Sequence, residues 1–408
     1  MKLFDNKQGN DLDCMCYMES NYSYLNRSAR PELKKIRNLL EEWFKNYPDS
    51  VKTNLKSRFI DNNDSNHNSA FFELFLHELL IKLGCEVQIE PSVTGTQKRP
   101  DFLVNTPDGF QFFLEAVLAT GESIEESANR ARINQVYDTL NRMKSPDFFI
   151  VIKLNGAPSS PPPGKKLRKD LEKWLSSINP NDPVFKTNDI DLLPSFPFSH
   201  DGWDISFIPI PKKKEYGNEE SIRPLAMWLP EKPHLVKTDI QIRDAVNRKA
   251  RKYGKLDIPY LIAVNVLGDD AVFGHEKIDV MNALFGQEVI TIQENLQTKE
   301  ISHKLTRCRN GAFISGNGPI NTRVSGVLVS FKLSPSSLTK TNLHLYHNPW
   351  AEKPYNLILN CLHQEVPKSE DGQTSRMVSV KGKLISQIFN LPDEWPWDNR
   401  DLPTIVFP

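Results

Sequence analysis

Asp101 follows Pro100 at the head of the strand-like run RPDFLV, and Glu115 lies fourteen positions further on, inside the next run, FQFFLEAVLA. Between them, NTPDG carries Pro107 and Asp108-Gly109, a strong signal for a hairpin turn. Two antiparallel strands joined so tightly can bring both carboxylates to one end of a sheet. Such a pair is a hard oxygen site suited to Mg²⁺, which needs few protein carboxylates and keeps water and substrate phosphate as its other ligands. A metal held there would neutralise charge building on a phosphodiester and generate hydroxide from bound water.

A third acid comes from the preceding segment, AFFELFLHELLIKLG, which reads as a helix ending at Gly84. On a wheel of about 100° per residue, Phe72, Phe75, Leu76, Leu79, Leu80 and Leu83 share one face. Glu73 falls at its flank and Glu78 well toward solvent, so Glu73 is the acid expected to reach over the sheet edge. His77, near Glu73, is expected as a partly exposed helix histidine.

These residues need a frame. Residues 1–66 read as helical, with PELKKIRNLLEEWFKNY opening at Pro31, and DNNDSNHNS supplies N-cap residues for the next helix. EVQIEPSV, RPDFLV and FQFFLEAVLA then read as strands, SIEESANRARINQVYDTLNRMK as a helix and FFIVIKL as a buried strand. The order is α-β-β-β-α-β. A proline-rich linker, PSSPPPGKK, follows (residues 156–166 in all). IQIRDAVNRKARKYG and YLIAVNVL then form a second helix-then-strand unit with the layout of 124–154, read as continuation of one sheet. SGVLVSFKL, NLHLYHNPW and MVSVKGKLISQIFN point to a further α/β extension. The expected division is a helical region at 1–66, a core at 67–270 and an extension at 271–408.

FELFLHELLIKLGCEV, RPDFLV and FFLEAV together resemble the core of the PD-(D/E)XK nuclease superfamily, in particular its Mrr-like restriction-endonuclease branch. In that branch the helix glutamate precedes the LG glycine by about eleven residues; Glu73 to Gly84 has that separation and Glu78 does not. The resemblance covers residues 70–155 and implies an α/β fold with a restriction-endonuclease-like mixed central sheet flanked by helices. It implies a Mg²⁺-dependent nuclease, Mn²⁺ substituting, acting on DNA or another nucleic acid in a setting such as restriction or phage defence. Asp101, Glu115 and the carbonyl of Ala116 would hold the metal, and Glu73 would support a metal-bound water or a second ion.

The family pattern ends in lysine, whereas here it reads Glu115-Ala116-Val117. Strand alternation puts 115 and 117 on one face, so Val117 stands where the lysine would. Another cation is expected to take the role: Lys153 is the first choice, because it interrupts FFIVIKL, read as next in the sheet after the Glu115 strand's crossover helix, and Lys98, Arg99, Arg132 and Gln135 stand behind it. The alternative is a nuclease fold that has lost catalysis and serves as a nucleic-acid-binding or assembly subunit.

The remaining signals narrow the class. Lys+Arg and Asp+Glu are both 51, which gives no cationic coat for nucleic acid. Local basic clusters, GKKLRK, PKKKEYG and NRKARKYGK, could track a phosphate backbone or be solvated helix faces. On the third, Arg243, Lys249, Arg251 and Lys252 are expected largely outside an apolar face of Ile242, Val246, Ala250 and Tyr253. There is no P-loop, G-x-G-x-x-G or G-x-S-x-G, which argues against ATP-driven action by this chain alone. No apolar run approaches a membrane span, no signal peptide is read, and five scattered cysteines suggest reduced thiols. A cytoplasmic, non-membrane protein is expected, with a homodimer one option. The lone C-x-C of Cys14 and Cys16 and the pair His344 and His347, on opposite strand faces, make poor metal sites.

Overall fold

A computed structural model describes residues 1–5, 10–121, 124–187, 189–212, 223–230, 238–268, 274–294, 301–356, 358–369 and 375–397. The chain forms two compact units, one drawn from 1–10, 21–121 and 236–400, the other from 11–20 and 122–235. The cuts at 121/122 and 235/236 fall inside the span expected as one core, 67–270.

The first unit opens with helices α1 (Asn21–Arg27), α2 (Pro31–Asn46), α3 (Lys52–Phe59) and α4 (Asp64–Lys82). Helix α4 starts earlier than its apolar run because the Asn63 side chain accepts from the Ser65 N–H at 2.9 Å and caps it. Strands β1 (Glu86–Ile89), β2 (Phe102–Asn105) and β3 (Gln111–Ala119) follow as an antiparallel meander. Gly109 takes φ 82° in the β2–β3 turn, a conformation that a side chain would strain.

The second unit is the stretch between β3 and the next core helix. Its elements are α5 (Ile124–Leu140), β4 (Phe148–Gly156), α6 (Gly164–Leu175), β5 (Phe196–His200), β6 (Trp203–Pro211) and β7 (Leu225–Pro230). They build their own four-stranded sheet, in the order β5-β6-β4-β7. Helices α5 and α6 bury Val136, Leu140, Leu167 and Leu171 against Ile150, Ile152, Ile205 and Phe207 of that sheet.

The first unit resumes with α7 (Thr238–Ala250), β8 (Tyr260–Val266) and α8 (Glu276–Phe285). Next come two small hairpins, β9 (Glu288–Glu294) with β10 (Ile301–Arg307) and β11 (Ile314–Ser315) with β12 (Gly318–Pro319). Strands β13 (Gly326–Phe331), β14 (His344–His347), β15 (His363–Ser369) and β16 (Ser375–Val380) and helix α9 (Ile385–Phe389) complete it. The result is a mixed eight-stranded sheet, β1-β2-β3-β8-β13-β14-β15-β16, with β3, β8 and β13 parallel. Residues beyond 271 therefore extend the central sheet itself, β13 pairing directly with β8.

Helices cover both faces of this sheet. Phe112, Leu114, Ala116, Leu261 and Ala263 face the cluster formed with α2 and α4. Phe113, Val117, Ala119, Ile262 and Val264 face α7 and α8. Strand β8 is buried along its whole length, which explains why its sequence is apolar but for Asn265, whose amide is bonded to the Leu333 backbone.

The α-β-β-β-α-β order holds in the first unit, but its last two elements are α7 and β8. The expectation that FFIVIKL would neighbour the Glu115 strand is overturned: β4 pairs with β6 and β7, and β8 lies parallel to β3. The physical reason is that α5–β4 and α7–β8 carry the same pattern, a helix feeding a buried strand. Hydrophobic periodicity does not say which sheet a strand joins.

Candidate active site

The site is set by register. Phe102 pairs with Leu114 at the end of the β2–β3 ladder, so one step further puts Asp101 opposite Glu115. The Ala116 N–H, beyond the last ladder partner, donates to Asp101 Oδ2 at 2.7 Å. The N–H and C=O of one strand residue leave from the same edge, so the Ala116 carbonyl opens toward the Asp101 side.

Glu115 has no exposed surface. A carboxylate so placed is costly unless its oxygens are matched by donors, and α7 supplies them. Lys249, in the last turn of α7, and Lys252, just past its end, each bring Nζ to 2.6 Å from Glu115 Oε1. The Tyr253 hydroxyl bridges Glu115 Oε2 and the Arg99 carbonyl, 2.7 Å away. Both neighbours are acceptors, and burial together with the Glu115 charge holds the Tyr253 phenol far above its ordinary range, so it stays the donor.

Asp101 is the acid whose carboxyl is raised. Burial, then the charges of Glu115 and Glu73, push its carboxyl up to about 7, with Lys249 and the Ala116 N–H pulling the other way. Glu73, on α4, comes from the opposite sheet face. Both its oxygens are gripped by Arg58 of α3, at 2.6 Å each. The three acids expected from the sequence thus meet electrostatically at one place, together with three cations the sequence reading did not assign: Arg58, Lys249 and Lys252.

Other expectations are corrected. Lys153 lies in β4 of the second unit, where its ammonium pairs with Asp191, so the sheet-neighbour argument for it fails. Arg132 and Gln135 are in α5 of that unit, Arg132 donating to the Pro158 carbonyl at 2.8 Å. Lys98 and Arg99 are exposed in the loop before Asp101. Val117 faces α7, as alternation requires, inside an apolar cluster. Glu78 does not point to solvent: it is 2% exposed and bonded to Asn46 at 3.0 and 3.2 Å, because α2 covers that side of α4. His77 is likewise buried, its ring 4.9 Å from that of Tyr47, and burial pushes its imidazole down to about 4. In the third basic cluster Lys249 and Lys252 turn inward. The signal was present, since Lys249 stands seven residues after Ile242 and three after Val246, on the apolar face itself. In the second basic cluster, residues 213–217 lie outside the described residues.

Among the described residues, no group of three or more His, Cys, Asp or Glu side chains is gathered so as to hold a metal ion. The oxygen set that fits a hard divalent cation is the smaller one of Asp101, Glu115 and the Ala116 carbonyl. Its chemistry suits Mg²⁺, and the raised Asp101 carboxyl marks negative charge that a cation would relieve. Among the described residues no helix is long and apolar enough to cross a membrane. Compared with protein-family models, curated proteins and solved structures, the chain matches none.

Proposed function

We propose that this chain is a metal-dependent nuclease that hydrolyses phosphodiester bonds in DNA, with Lys249 in the role of the motif lysine that Val117 cannot fill. The observation that carries this reading is the Lys249 ammonium, 2.6 Å from Glu115 and close enough to Asp101 to lower its carboxyl. Lys249 rather than Lys252 is chosen because its charge is a leading influence on Asp101 as well as a partner of Glu115. Asp101, Glu115 and the Ala116 carbonyl would hold Mg²⁺, which supplies Lewis acidity and an ionised water when bound. Lys249 would orient the attacking water and stabilise charge developing on the phosphate oxygens. Glu73, fixed by Arg58, would keep that guanidinium beside the site, where it can meet a phosphate.

The test is nicking of supercoiled plasmid with Mg²⁺ or Mn²⁺, with and without chelator, by the wild type and by Asp101→Asn and Lys249→Met. Chelator-sensitive cleavage lost in both variants supports the reading. A second reading, an inactive nuclease-fold subunit that binds nucleic acid, is favoured by one observation: Arg58, Lys249 and Lys252 already match the three acids in number. Clean protein that leaves every tested DNA and RNA form intact with Mn²⁺ would make that alternative the better reading.

A further inference from the structure

One oxygen of Glu115 already holds as many donors as it has lone pairs. Its Oε1 takes two ammonium groups at 2.6 Å each and its Oε2 takes the Tyr253 hydroxyl. Each carboxylate oxygen offers about two lone-pair sites, and both sites of Oε1 are taken, so a metal bond to that oxygen requires one ammonium to leave. The two lysines are not equivalent. Lys249 sits within α7, its side chain 19% exposed, and its charge reaches Asp101 as well as Glu115. Lys252 lies in the turn after α7, its side chain 29% exposed, and its one carboxylate partner is Glu115. Its ammonium also lies 5.2 Å from the Tyr253 ring centroid, so a second attractive seat stands beside the first.

We propose that Lys252 is an exchangeable placeholder: it neutralises Glu115 in the metal-free protein and gives up its position when a divalent cation is taken up, while Lys249 stays. This rests on the metal-dependent reading above and adds a regulatory step to it. Metal uptake would be paid for by one broken ion pair, and the released ammonium would be free to meet a backbone phosphate. A lysine with no such role would keep the same contacts whether or not metal is bound.

The experiment uses the full chain and Ca²⁺ alone as the probe. Calorimetry reads binding, while pulsed acetylation with site-resolved mass spectrometry reads the accessibility of each lysine. The expected result is a several-fold rise in Lys252 labelling on Ca²⁺ addition, with Lys249 unchanged. Lys252→Met is expected to bind Ca²⁺ about tenfold tighter than wild type, equivalent to about 1.4 kcal/mol for the lost competitor. Ca²⁺ binding with Lys252 labelling unchanged overturns the exchange and leaves the nuclease reading standing. No Ca²⁺ binding by either protein overturns both. The labelling is done on wild type, so a variant that fails to fold does not rescue the idea.

Discussion

Glu115 and Glu365 occupy the same transverse row on the same sheet face. The row runs Glu115, Ile262, Val327, Tyr346, Glu365, through the paired registers of β3, β8, β13, β14 and β15. Both glutamates are essentially unexposed, and each meets a lysine at or just past the end of a covering helix: Lys249 and Lys252 for one, Lys277 of α8 at 2.8 Å for the other. Their surroundings differ. Glu365 has no acid opposite it; the Ser379 hydroxyl donates to its Oε1 at 2.6 Å and its Oε2 has no partner. Glu115 has donors on both oxygens and Asp101 facing it. That buried, facing carboxyl, raised by burial first and by the neighbouring acids second, is what distinguishes one end of the row from the other.

The sharpest way to break the comparison is activity. Glu115→Gln and Lys249→Met are expected to lower plasmid nicking by about 10²–10³, as for loss of an electrostatic donor at a reacting centre, and Glu365→Gln to leave it within a few-fold of wild type. Val117→Lys in the Lys249→Met background should restore part of the rate, since residue 117 shares the Glu115 face. Equal loss at Glu115 and Glu365 would erase the distinction.

A smaller effect separates the two ends by stability. Lys277→Met leaves Glu365 without its lysine partner and is expected to cost about 1–3 kcal/mol in denaturant unfolding, as for a buried acceptor that loses a donor. Lys249→Met should cost less, because Lys252 remains on the same oxygen. The reverse order would mean that the two lysines at Glu115 do not back each other up.

The two ends also differ in pH dependence. Asp101 titrates near 7 in the fold and near 3.8 when unfolded. The metal-free fold therefore binds the extra proton between those values and loses stability as pH rises through them. Asp101→Asn cannot ionise, so its melting temperature should exceed that of wild type by a few degrees at pH 8, with the gap closing toward pH 4. Glu365→Gln is the control for the other end of the row. A gap for Asp101→Asn that does not change with pH would remove the distinction drawn from the raised Asp101 carboxyl.

Sequence carries some of this and not the rest. The facing of Asp101 and Glu115 is legible because a tight turn fixes hairpin register, and α2 is legible because Pro31 opens an amphipathic run. Lys249 was hidden in plain view: a basic cluster reads as a solvated face, and only the buried acid opposite reveals that one lysine belongs to the apolar side. Glu78 and His77 mislead for another reason. A wheel distinguishes one buried face from one exposed face, while α4 is covered by the sheet on one side and by α1, α2 and α3 elsewhere. The insertion of a second unit between β3 and α7 left no mark, because its first helix and strand imitate those that complete the core.

That insertion also sets a schedule. Glu115 and Lys249 are separated by 134 positions. At a synthesis rate of about 5–20 residues per second, the acids leave the ribosome roughly 7–27 s before the lysine that completes their site. During that interval the nascent chain carries the carboxylates without α7, and β3 without its central neighbour β8. Whatever chemistry the site performs is withheld until most of the polypeptide has been made, so truncated products ending within residues 122–235 would be inert fragments.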